Sequence, residues 1–393
     1  MKIIVGGVIS LQPFSAGNAW DRLHYAIGLR RLGHDVLFVE EIAPDWCVDR
    51  QGRPVPLERS MNRQVFHDLM RRFQLEECAC QIYNGNGGEA TAGMSRQSLV
   101  RWAKEADLLI NISGHVRAED VLSHVKRRAY LDQDPVFTQL WKASYSSKSL
   151  NLERHDVFLT VGLNIGTPRS DIPDCGLPWR HTLPPVVVDC WPDRADSKRS
   201  RFTTIASWCG FKDLSYRGEW YQSKYVEFAR FAGLPKAVRQ EFQVALKDYR
   251  EQDEGIRLLR ENGWILSRAG DIADLDGYQE FIFQSRAEIG IAQNAYVKGR
   301  SGWFSDRTGQ YLASGRPVLL ESTGFEQQLP AGDGVLTFST MEEAAAGVEA
   351  INRKYEHHCR AAREFAMENL DSTKVLPRIL ELCGSRREEA LCR

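Results

Sequence analysis

No apolar run in this 393-residue chain approaches the roughly 18–20 residues needed to cross a bilayer. The opening MKIIVGGVI lacks the charged, apolar and small-residue regions of a secretory signal. A cytoplasmic protein without a transmembrane segment is expected. An excess of one charge is also missing: 51 Lys and Arg stand against 52 Asp and Glu, for a formal net charge of −1. That balance argues against a strongly basic nucleic-acid binder and a disordered acidic chain, so no nucleic-acid partner is expected. The nine cysteines are odd in number and scattered, which does not suit a disulfide frame. Cys78 and Cys80 have no second pair or His cluster at zinc spacing, so no metal site is expected. There is no fixed-period repeat and no low-complexity tract.

What the chain has is length for two domains of roughly 150–200 residues each, with alternating strand and helix signals throughout. Lys2 to Val5 reads as a buried strand, Gly6 and Gly7 break it, and a polar loop leads into a helix on which Trp20, Leu23 and Ile27 recur at helical spacing. Asn18 is placed to cap that helix, with Asp21 three positions on. Gly33 ends it, and Val36 to Val39 forms the second strand. This β-loop-α-β unit opens a parallel sheet. Between Gln51 and Gly93, an amphipathic helix around Phe66, Leu69 and Met70 precedes GNGGEATAG, which reads as a loop. Strand signals resume at 107–112, 128–131 and 157–161. A proline-rich then charged stretch, PPVVVDCWPDRADSKRSRF, marks a linker. Beyond it, 203–207, 242–246, 288–292, 317–320 and 335–338 read as strands of a second sheet. The organisation is a first domain over 1–190, a linker over 191–202, a second domain over 203–370 and a helix over 371–385. The last ten residues read as a frayed tail.

The most informative stretch is GRSGWFSDRTGQYLASGRPVLLESTGF, residues 299–325. Ser305 precedes a helix whose first turns carry Asp306, Arg307, Thr308 and Gln310. Free backbone N–H groups and the positive end of the helix dipole there suit a phosphate or diphosphate, with Arg307 adding charge. The LASGRPVLL turn that follows, together with the glycine-bearing loop and GLRRLGHDVLFVEE of the first unit, resembles the glycosyltransferases of the GT-B fold. The resemblance spans both halves of the chain. It implies two Rossmann-like α/β/α domains facing each other across a cleft, with the acceptor on the first and a nucleotide-sugar donor on the second. It also implies that the helix after Asp371 crosses back to the first domain. Many retaining members carry two glutamates along this loop and helix; the matching positions here are Gly302 and Gln310, so an ionised carboxylate cannot hold the donor ribose.

Further candidates sit at strand ends, where open α/β sheets place ligands. His115 follows one strand, and Asp132 and Asp134 follow the next, where a carboxylate can accept a proton from an acceptor hydroxyl. In the second domain Lys212 and Lys224 lie where the resemblance implies a basic residue for the diphosphate. Trp264, Ser267 and Asp271 lie where it implies a wall for the nucleobase. Asn18 joins the donor-binding set. The expected function is metal-independent, hexosyltransferase-type glycosyl transfer from a nucleotide sugar, a co-substrate with no further cofactor, to a small-molecule or glycan acceptor. A nucleotide-sugar epimerase and a catalytically silent protein of the same fold are the alternatives. A nicotinamide oxidoreductase is disfavoured because the tight G-x-G-x-x-G turn is absent.

Overall fold

The computed structural model describes residues 1–84, 90–144, 150–194 and 198–384. Eight strands form the first sheet: β1 (Lys2–Gly6), β2 (Asp35–Ile42), β3 (Ala79–Tyr83), β4 (Ala90–Gly93), β5 (Leu108–Ile112), β6 (Arg128–Asp132), β7 (Val157–Thr160) and β8 (Trp179–His181). Their order is β4-β3-β2-β1-β5-β6-β7-β8. Only β4 runs antiparallel, against β3, and the other neighbours are parallel. The central strands are buried on both faces, which is why β1 and β5 read as near-continuous apolar runs, interrupted only by Lys2 at the start of β1 and Asn111 in β5, rather than as alternation. Part of GNGGEATAG, expected as loop, is the edge strand β4; residues 85–89 of it lie outside the described residues.

The second sheet contains β9 (Arg201–Ser207), β12 (Glu241–Lys247), β13 (Ile265–Arg268), β14 (Ala287–Gly290), β15 (Val318–Glu321) and β16 (Val335–Phe338), with β10 (Leu214–Tyr216) and β11 (Glu219–Tyr221) forming a separate hairpin. The six strands are all parallel, in the order β13-β12-β9-β14-β15-β16. A right-handed crossover fold of this kind opens its strand carboxyl ends to ligands, and here the two sheets point those ends at one another.

The first helix, Ala16–Arg31, starts earlier than the sequence suggests, with Ser15 rather than Asn18 at its cap. The reason is the buried Glu40 carboxylate at the end of β2. It accepts N–H bonds from Ile9, Ser10 and Leu11 at 2.9–3.0 Å and the Ser10 hydroxyl at 2.6 Å. The loop is drawn tight against β2, leaving its second half free to begin the helix.

The domains meet along more than a linker. Trp20 and Trp191 pack with ring centroids 5.0 Å apart, and Tyr278 of the second domain closes on Trp191 at 6.3 Å. Leu163 and Asn164 donate their N–H groups to the carbonyls of Gly302 and Ser301, stitching the loop after β7 to the segment that precedes the Asp306–Ala313 helix. The Ser372–Gly384 helix packs on the first helix, so closely that a Cβ at Gly28 would come within 2.5 Å of Leu376. Pro377 stands at the sixth position of that helix, beyond the first turn where its missing N–H costs nothing. Residues 385–393, expected as a tail, lie outside the described residues. Among the described residues no helix is long and apolar enough to cross a membrane.

Candidate active site

A cleft of about 580 Å³ lies between the facing sheet edges. The first domain contributes the loop after β1, the start of the first helix, Ser113 and His115 after β5, and Gln133 and Asp134 after β6. The second contributes Ser207 after β9, Lys224, Lys247, Tyr296 and the segment Trp303–Arg307.

On the second-domain side, the Asp306–Ala313 helix points its N-terminus into the cleft, and its Ser305 cap makes no side-chain capping bond. The first N–H groups of that helix are therefore not capped by Ser305. Arg307 is held by two bonds: Nε donates to Glu288 at 2.7 Å and an Nη donates to the Ile205 carbonyl at 2.8 Å. Lys224 is buried, donates to the Ile291 carbonyl and lies 5.4 Å from the centre of the Trp303 ring. Burial, with the Arg307 guanidinium next to it, pulls the Lys224 ammonium down to about 7. A cation that sheds its proton near neutrality is one that an incoming anion will recharge.

On the first-domain side the chemistry is acidic. Asp134 is half-buried, its carboxyl pushed up to about 7 by desolvation and by Asp132, against the pull of Arg22. Tyr296 reaches across from the second domain to within 3.5 Å of it. Asp21, 1% exposed, accepts bonds from Arg22 at 2.8 Å and Gln133 at 2.6 Å through Oδ2, while Oδ1 has no hydrogen-bond partner. Burial raises its pKa too, as do the carboxylates of Asp306 and Asp134. His115 lines the same wall, held neutral by burial and by Arg22 and Arg117, its pKa lowered to about 4. Two protonatable carboxyls thus face the start of the Asp306–Ala313 helix, with Arg307 and Lys224 beside it, across one cleft.

Of the residues singled out from sequence, Asn18, His115, Asp134, Lys224, Ser305, Asp306 and Arg307 line this cleft. Four further candidates for catalysis or donor binding do not. Asp132 is buried beneath it, accepting bonds from Thr138, Gln139 and Thr160 and from the Asp134 N–H, so it braces the turn that presents Asp134. Lys212 is exposed, outside the cleft lining, because the segment after Phe211 turns into the β10–β11 hairpin. Thr308 and Gln310 sit on the inward face of their helix; Gln310 accepts a bond from the Tyr278 hydroxyl at 2.8 Å. Of the residues expected to wall the nucleobase, Trp264 is core and neither Ser267 nor Asp271 lines the cleft, whereas their neighbours Ala269 and Ile272 do. Sequence reading missed Asp21 as a cleft group by treating it as part of a cap. Its place one turn from the head of a helix that follows a glycine-bearing loop was the available signal.

No family model matches the sequence, and no curated protein matches it. Solved structures do. An alpha-glucosyltransferase in complex with UDP and a 13-mer DNA with a central A:G mismatch is similar at TM-score 0.59 and 12% identity, over 98% of this chain and 100% of that one. Anabaena HepE in complex with UDP and glucose is similar at TM-score 0.55 and 13% identity, over 98% and 100%. AviGT4, a glycosyltransferase involved in avilamycin A biosynthesis, is similar at TM-score 0.52 and 13% identity, over 98% and 97%. The DNA in the first of these corrects the expectation drawn from net charge. A fold of this kind binds nucleic acid in a known case, and charge summed over the whole chain says nothing of how it is distributed around a cleft. The chain has the GT-B fold of nucleotide-sugar glycosyltransferases, two Rossmann-like domains facing each other across a cleft.

Proposed function

We propose that this protein is a glycosyltransferase that takes a sugar from a nucleoside-diphosphate donor, a UDP-sugar by likeness to the UDP-bound structures, and passes it to an acceptor hydroxyl. The observation that carries the proposal is the pairing, within one cleft, of a helix N-terminus flanked by Arg307 and Lys224 with the buried carboxyl of Asp21 and the half-buried carboxyl of Asp134 opposite. The diphosphate lies against the start of the Asp306–Ala313 helix. As the glycosidic C–O bond breaks, charge grows on the departing diphosphate oxygen, and fixed N–H dipoles with two cations stabilise it without reorganising. A metal ion is not needed for that role. The acceptor enters from the first domain, where Asp134 or the unpartnered Oδ1 of Asp21 takes the hydroxyl proton. A carboxyl poised near 7 is matched to that task at neutral pH.

The test is UDP release from a panel of UDP-hexoses, in the presence of EDTA, with acceptors that include saccharides and DNA. Donor-dependent transfer to one acceptor supports the proposal. Failure of every UDP-sugar to bind, by calorimetry, refutes it.

A further inference from the structure

We infer that Glu288 is the positioning residue of the diphosphate site, fixing Arg307 so that one nitrogen of its guanidinium is presented to the donor's β-phosphate. This rests on the donor placement proposed above and goes beyond it.

Glu288 lies in the middle of β14, hydrogen-bonded on both sides within the parallel sheet, and is fully buried. A carboxylate there is costly: its desolvation is repaid only by a well-made ion pair, and apolar side chains of similar volume would stabilise the sheet as well or better. What the pair provides is direction. Arg307 is 12% exposed and gripped at two points, Nε by Glu288 and Nη1 by the Ile205 carbonyl. Nη2 makes no hydrogen bond, yet is not among the buried orphan atoms, and the residue lines the cleft beside Ser305 and Asp306. A guanidinium is planar with fixed donor directions, so holding two of its nitrogens sets where the third points. The backbone adds to the grip, since the carbonyl belongs to β9, the strand paired with β14, and cannot shift without the sheet.

Glu288 also shares in the local charge balance. Arg307 and Lys224 are close enough that the guanidinium lowers the lysine's pKa, while Glu321, Glu288 and Asp306 raise it. Without Glu288, Arg307 would lose the partner of its Nε and turn toward the water of the cleft, losing its alignment. The remaining oxygen, Glu288 Oε2, is buried without a partner, so the carboxylate itself is sealed from ligand and acts only through Arg307.

The test separates alignment from general damage by comparing UDP with UMP, which lacks the β-phosphate. Affinities of both are measured by calorimetry for the wild type, Glu288→Gln and Glu288→Leu, with urea midpoints recorded alongside. In Glu288→Leu the preference for UDP over UMP is expected to fall about tenfold, the scale of one charge-assisted contact, with UMP affinity held within twofold. Glu288→Gln keeps an oxygen for Nε but not the charge, and a fall of about threefold is expected. If Glu288→Leu does not fold, the Gln variant decides. An unchanged preference, or UDP and UMP weakened equally, overturns the inference. Wild-type protein that binds neither nucleotide overturns the donor site itself.

Discussion

Asp134→Asn should make the protein more stable and less active, and the gain in stability should depend on pH. In the folded protein burial and Asp132 push the Asp134 carboxyl up to about 7, while in the unfolded chain it titrates near the ordinary value of about 3.9. The folded state therefore holds this proton more tightly. The resulting stability is fully present below about pH 4 and is lost as pH rises through about 7, where the partly desolvated carboxyl must ionise. A gap of about three units corresponds to at most about 4 kcal/mol. Asparagine fills the same space and carries no charge, so it removes that cost at pH 8 and changes little at pH 4. With unfolding entropy proportional to chain length, about 4 kcal/mol amounts to a rise of roughly 5 °C in Tm. Paired thermal denaturation of wild type and variant at pH 4.5 and pH 8 gives the comparison directly. A variant equally stabilised, or destabilised, at both pH values would show that Asp134 ionises freely in the fold and would remove it as a proton acceptor.

UDP affinity should weaken as pH rises through about 7, because Lys224 loses its proton there unless the diphosphate restores it; calorimetry from pH 6 to 8.5 should show a slope of up to about tenfold per unit, reduced in Lys224→Met. Arg307→Ala should cost about 1.5–3 kcal/mol in UDP binding, and unchanged affinity would take Arg307 out of the site. Lys212→Ala, outside the cleft, should leave UDP affinity within twofold, and a larger loss would mean that the segment after Phe211 folds over the donor. Leu376→Ala, which empties a fully buried position against Gly28, should destabilise by about 2–5 kcal/mol, measured by urea denaturation, whereas a loss below about 0.5 kcal/mol would show that the crossing helix is loosely packed.

The fold was legible where local signals and global architecture agree. Buried parallel strands of apolar residues followed by Gly, Asn or Asp are hard to mistake, and the turn after Ala313 carries its own punctuation in Gly315 and Pro317. What failed was short or edge-lying. β4 is four residues long and paired on one side only, too weak to stand out from a glycine-rich stretch. Within the site, residues on the loop side of an element could be read, but the face of a helix could not. Thr308 and Gln310 share the first turns of their helix with Asp306 and Arg307, yet rotation about the axis turns the former pair into the core. Asp132 and Asp134 differ likewise by two positions across a turn that only tertiary bonds from Thr138, Gln139 and Thr160 define. The Glu288–Arg307 pair joins residues nineteen positions apart in sequence, and no local pattern announces it.

The helix Ser372–Gly384 covers the first helix at Gly28, and this sets an order of events at the ribosome. A nascent chain that has emerged only through β8 carries every strand of the first sheet, but its first helix still exposes the face that Ser372 and Leu376 will bury. At roughly 5–20 residues per second, that face waits about 10–40 seconds for the covering segment, while the whole second domain is made. The early half of the chain is thus committed to a prolonged partly open state, with one face of the Ala16–Arg31 helix uncovered until the last described helix is made.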